Sequence, residues 1–217
     1  INGNDIKPYK FCIWNEDRFV ETKRDKEKIP VYHSLDNVTI GEAIFSKTFN
    51  TYVDEETAKK MDEDDLVKRK ITINGWVGLQ RFFDTREYGI NVIRNGRIIL
   101  LQEKDKFFNW YYPEDFTEEQ IREHTKYCKG SYVEGYPIDN QILGGRIVGE
   151  IHADFIHPNF TKDGLENESD LSWQKVVNHL RGDGPFQPDL GAALGYEQNT
   201  SPLGMLFKGF RKANPKG

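Results

Sequence analysis

The stretch "GINVIRNGRIILL", residues 89–101, decides how the chain is read. Apolar Ile90, Val92 and Ile93 lead to Asn95-Gly96, and Ile98, Ile99, Leu100 and Leu101 follow. Asn and Gly accept the positive φ angles that a two-residue hairpin turn demands, so two antiparallel strands are expected here. Further on, "GGRIVGEIHADFI", residues 144–156, places Ile147, Gly149, Ile151, Ala153 and Phe155 on one strand face. Its glycines permit a close backbone approach. The helix expected over "ESDLSWQKVVNHLRG" begins near Ser169, turns Leu171, Val176, Val177 and Leu180 inward, and closes on Gly182. Strands interleaved with a few helices predict an α+β fold, a mixed β-sheet with helices packed on one face.

Outward from these landmarks the pattern is weaker. "KITINGWVGLQRFF" has strand character, with Asn74-Gly75 read as a hairpin turn or a bulge. Residues 54–70, "DEETAKKMDEDDLVKRK", have an acidic front and a basic rear over a thin apolar face. They read as a solvated helix or loop. "KDKFFNWYYPEDF" reads as an aromatic loop, and "TEEQIREHTKYCKG" as a short helix with a capping box at Thr117 and Gln120. Residues 1–182 are expected to form the α+β domain. Residues 183–217 form a Gly/Pro-rich extension, with a short helix around 202–211, that docks on its own domain or on a partner.

Composition narrows the function. The 217 residues suffice for a real core, and 13% aromatics against 37% apolar residues give Phe, Tyr and Trp much of the burial. A formal charge of -5 argues against a general electrostatic grip on nucleic acid or anionic lipid. No apolar run reaches membrane-spanning length and no signal peptide is present; the chain opens without Met, as a fragment would. Cys12 and Cys128 read as reduced thiols of a cytoplasmic protein, and the five histidines lack metal spacing. There is no G-x-G-x-x-G, Walker A, G-x-S-x-G or H-E-x-x-H motif. Glu150, Asp154 and Asp163 lie near a strand end, but a hydrolase built on them lacks a nucleophile or a metal set. Lys162, beside Thr161 and ahead of a helix N-terminus, is suited to a phosphate contact.

"GINVIRNGRIIL" and "GRIVGEIHADFIHPNFTKDGLE" resemble, in that order, segments of MORC-type members of the GHKL ATPases (gyrase, chaperone, histidine kinase and MutL type). "WVGLQRF" and "NTSPLGMLFKGFRK" resemble bacterial relatives of that group. In such proteins these segments belong to the transducer domain behind the nucleotide-binding domain, so the resemblance, over residues 70–217, implies the fold of domain 2 of ribosomal protein S-five. It implies that Lys162, with Thr161 beside it, binds the ATP γ-phosphate as the catalytic lysine. ATP and Mg would be held by a missing N-terminal domain, and the full-length protein would dimerise. Neither the Mg-binding Asn helix nor a D-x-G-x-G occurs here, so no cofactor is expected in this chain alone.

Arg94 and Arg97 at the hairpin, with Lys208, Arg211 and Lys212 in the tail, mark a contact surface for nucleic acid or a partner. The alternative function is therefore a nucleic-acid or protein binding module with no nucleotide role.

Overall fold

One long strand organises the sheet. Along Leu66–Leu79 the odd positions Ile71, Ile73, Val77 and Leu79 are buried, whereas Lys68, Lys70, Thr72 and Asn74 are exposed. That alternation is what one buried sheet face requires. The computed structural model describes residues 19–21, 28–30, 32–80, 84, 86–113, 116–117, 119, 128–129, 132–133, 145–159, 164–165 and 170–213. For 19–21, 28–30, 128–129, 132–133 and 211–213 it describes the backbone alone.

In chain order the strands are β1 (Phe19–Glu21), β2 (Lys28–Pro30), β3 (Tyr32–Ser34), β4 (Val38–Ser46), β5 (Tyr52–Val53) and β6 (Leu66–Leu79). They continue with β7 (Gly89–Arg94), β8 (Arg97–Glu103), β9 (Trp110–Tyr111), β10 (Cys128–Lys129), β11 (Tyr132–Val133) and β12 (Ile147–His152). The helices given bounds among the described residues are α1 (Glu55–Ala58), α2 (Asp105–Phe108), α3 (Leu171–Arg181), α4 (Pro188–Ala193) and α5 (Pro202–Ala213). The main sheet runs β5-β4-β6-β12-β7-β8, with β3 also on β6; β12 and β7 are parallel and the other pairs antiparallel. The fold is therefore α+β around a mixed sheet. Trp173, Val176 and Leu180 of α3 share one buried cluster with Leu203, Leu206 and Phe207 of α5, Phe107 and Phe108 of α2, and the inward face of the sheet.

Several expectations hold. Asn95 and Gly96 take φ of 47° and 76°, as the two-residue turn between β7 and β8 demands. Ile147, Gly149, Ile151, Ala153 and Phe155 all face inward. A Cβ on Gly149 would lie 2.7 Å from the Trp76 carbonyl oxygen, so glycine is what lets β12 close on β6. Residues after Gly182 add Phe186, Leu203, Leu206, Phe207 and Phe210 to the same core, and α5 also packs against β1 and β2.

Other local readings are corrected. Asn74-Gly75 is neither a hairpin turn nor a bulge: both lie inside β6 in unshifted register with β12, and Gly75, at φ 139°, sits against the Glu150 carbonyl. The charged stretch 54–70 divides into α1, a 3-10 turn over Glu63–Asp65 and the first five residues of β6. The aromatic loop contains α2 and β9. Cys128–Lys129 is a strand rather than the end of a helix, and most of the stretch before it lies outside the described residues. Leu171 is 46% exposed, because the inward stripe of α3 runs through Trp173, Val176 and Leu180 instead.

Arg181, on the last turn of α3, is 6% exposed with its guanidinium over the Phe186 ring at 5.1 Å. Its Nη1 donates to the Gly182 carbonyl at 3.3 Å, while Nε and Nη2 are buried with no hydrogen-bond partner among the described residues. Burial pulls its pKa down to about 10. Among the described residues no helix is long and apolar enough to cross a membrane.

Candidate functional site

β12 ends at His152, where the chain turns inward and buries Phe155 and Ile156. The next segment closes on itself: Pro158 bridges to Leu165, and the Asn159 N–H donates to the Gly164 carbonyl at 2.9 Å. Thr161 and Lys162 belong to the span between those two clamps and lie outside the described residues, as does Asp163.

Against the clamp lies a cleft of about 210 Å³, lined by Asp54, Lys60, Ile156, His157, Leu165 and Asp170 among others. Its walls are tied together across the sequence. The Tyr52 hydroxyl donates to Asp170 Oδ2 at 2.5 Å and contacts Ser172 Oγ at 3.1 Å. The other oxygen of Asp170 accepts from the Ser172 N–H at 2.6 Å and the Trp173 N–H at 3.3 Å, capping α3. This cap, one residue past Ser169, is where the helix starts. The His157 ring tilts against Tyr52 at 5.0 Å, and its Nε2 lies 3.1 Å from the Tyr52 carbonyl oxygen.

Burial raises the Tyr52 hydroxyl well above the usual tyrosine range, and its bond to Asp170 adds to this. For Asp54, burial acts upward but is outweighed by the Thr57 N–H and hydroxyl at 2.8 Å each, so its carboxyl titrates below the ordinary range. Both carboxylates thus serve as helix caps, Asp54 for α1 and Asp170 for α3. The bonds at the cleft order the start of α3; among the described residues no general acid stands beside a general base. Among the described residues no group of three or more His, Cys, Asp and Glu is placed to hold a metal.

The remaining contact residues fall in separate places. Arg94 and Arg97 face each other across the hairpin end. Arg94 Nε donates to the Asp154 carbonyl at 3.1 Å, and the Asn95 N–H donates to Asp154 Oδ1 at 2.7 Å, so the turn is fastened to the end of β12. Asp154 is therefore a structural acceptor. Glu150 points from β12 beside Trp76 and Asn91. Lys208 lines a different groove, of about 470 Å³, between α4 and α5. Arg211 and Lys212 lie on the last turn of α5, and their side chains are outside the described residues.

The Tyr52–His157–Asp170 assembly had no signal in the sequence beyond an Asp ahead of a helix, since Tyr52 and Asp170 are 118 residues apart. No family model, curated protein or solved structure matches the chain.

Proposed function

We propose that this chain is the transducer portion of a cytoplasmic, bacterial GHKL-type ATPase. In this reading Lys162 contacts the γ-phosphate of ATP held with Mg by a separate nucleotide-binding domain. That contact exists with ATP and not with ADP, and such differential contact is what allows a nucleotide to shift a conformational equilibrium. A flexible ammonium suits a ligand that arrives only on closure.

The observation that supports the reading is the clamp. In sequence, the residue matching the phosphate-binding lysine falls between Asn159 and Gly164, which are joined by a hydrogen bond, and ahead of the capped start of α3. The Tyr52–Asp170 bond ties the start of α3 to β5. Hydrolysis and dimerisation belong to the full-length protein, and this chain alone supplies neither.

The test is Lys162→Ala in the full-length protein, with ATP turnover and nucleotide-dependent dimerisation measured. Loss of one preorganised donor to a transferring phosphoryl group predicts a fall in turnover of about a hundredfold. Dimerisation should lose its preference for ATP over ADP. Turnover and dimerisation equal to wild type would remove Lys162 from the mechanism.

A further inference from the structure

A second surface lies where β12 leaves β6. β12 pairs with residues 74–79 of β6, while β4 pairs with residues 66–73 on the opposite side. Nothing among the described residues pairs with the β12-side edge of Leu66–Ile73. Main-chain groups of alternate residues face alternate sides of a strand. The Gly75 carbonyl accepts from Leu35 on the β4 side, whereas the Gln80 N–H donates to Arg146 on the β12 side. Even-numbered residues therefore point toward β12, and the main-chain N–H and C=O groups of Lys68, Lys70 and Thr72 face the vacant edge.

That edge opens into a groove of about 610 Å³ lined by Lys70, Thr72, Asn74, Arg94, His152 and His157 among others. Phe45, Tyr52 and Phe155 line it on the inward side of the sheet. Neither Lys70 nor Arg94 makes an ion pair among the described residues. The one carboxylate in the lining among the described residues, Asp154, is engaged by the Asn95 N–H.

We infer that this groove takes an extended acidic peptide segment of a partner protein, added as a strand along Lys68–Thr72. An open strand edge matches the main chain of a peptide rather than a phosphate backbone. The pleat fixes the pattern of the guest. Side chains on the outer face meet Lys68 and Lys70, which carboxylates complement, and those between meet Phe45, Tyr52 and Phe155, which β-branched residues fit. The guest thus alternates acidic and apolar residues over about five or six positions. The groove shares Tyr52 and His157 with the cleft, but the inference calls on neither Lys162 nor the Asn159–Gly164 bond, so it does not depend on the nucleotide reading.

The probe is a fluorescein-labelled peptide of repeating Glu-Val, titrated with the 217-residue chain and read by anisotropy. Three comparisons accompany it: the same peptide N-methylated at alternate residues, a Lys-Val peptide, and a single-stranded oligonucleotide as competitor. Saturable binding of Glu-Val is expected, with no binding of the Lys-Val or N-methylated forms and no competition by the oligonucleotide. Lys70→Glu with Arg94→Glu should weaken binding about tenfold or more, because two favourable contacts become repulsive. Lys70 is exposed, whereas Arg94 is half-buried with its Nε on the Asp154 carbonyl, so a circular dichroism spectrum and a Tm equal to wild type check that the variant is folded. No Glu-Val binding, undiminished binding of the N-methylated peptide or by the folded variant, or displacement by the oligonucleotide would each overturn the inference.

Discussion

Removing the Tyr52 hydroxyl isolates the bond that holds the cleft together. In Tyr52→Phe the ring contacts with Phe45, Phe155 and His157 remain, while the donor to Asp170 and the hydroxyl's weaker contact with Ser172 Oγ are lost. A hydrogen bond to a charged acceptor contributes about 1.5–3 kcal/mol, and Tyr52 is 9% exposed, so water replaces the donor poorly. Asp170 keeps its two N–H donors from α3, which argues for the lower half of that range. We expect a loss of about 2 kcal/mol, or roughly 4–8 °C in Tm for a chain of this size. Urea unfolding of Tyr52→Phe, Asp170→Ala and the double variant closes a thermodynamic cycle. Asp170→Ala alone should cost about 3 kcal/mol, combining the lost cap of about 1 kcal/mol with the lost tyrosine bond. The double variant should then cost about the same as Asp170→Ala, leaving a coupling near 2 kcal/mol. Additive losses, or a Tyr52→Phe change under about 0.5 kcal/mol, would refute the view that this bond joins β5 to α3.

Two further outcomes follow from buried titratable groups. His33 has its imidazole lowered by burial, with Nε2 buried and unpartnered, so the folded state disfavours the proton that the unfolded chain accepts. Stability should therefore be full above the ordinary histidine value of about 6.5 and fall as pH drops through and below it. His33→Leu should flatten that part of the urea-midpoint profile between pH 7.5 and 5. An unchanged slope would exclude His33 as its source. Arg181 carries a charge in the core with two unpaired nitrogens, so Arg181→Met should stabilise the fold by about 1 kcal/mol. A lower Tm in that variant would show that the guanidinium is better satisfied than its geometry implies.

The parts legible in the sequence are those whose cause is local. Asn95-Gly96 announces its own turn through backbone conformation, and β12 announces its buried face through alternation. The start of β6 was hidden because Val67, Lys68, Arg69 and Lys70 satisfy two demands at once. The lysines face solvent, and Arg69 folds over the Phe45 ring at 5.5 Å, so a half-buried strand reads as a run of charge. Asn74-Gly75 misled for the opposite reason. The pair has turn chemistry, but at Gly75 the missing side chain serves the approach of β12. The cleft was illegible altogether, since Tyr52, His157 and Asp170 meet only after the sheet and α3 are in place. Lys162 was legible as a motif position alone.

The packing of α5 has a consequence for how the chain reaches this state. Leu203, Leu206 and Phe207 are at most 1% exposed, and the helix carrying them lies against β6 as well as β1 and β2. During synthesis, strands formed early would wait for these late residues before their inner face is shielded. Contacts spanning most of the sequence delay folding and prolong the exposure of sticky strands. Termination ahead of Pro202 would leave Ile73, Val77 and their neighbours without a lid, and we would expect such a product to aggregate rather than persist as a smaller folded unit.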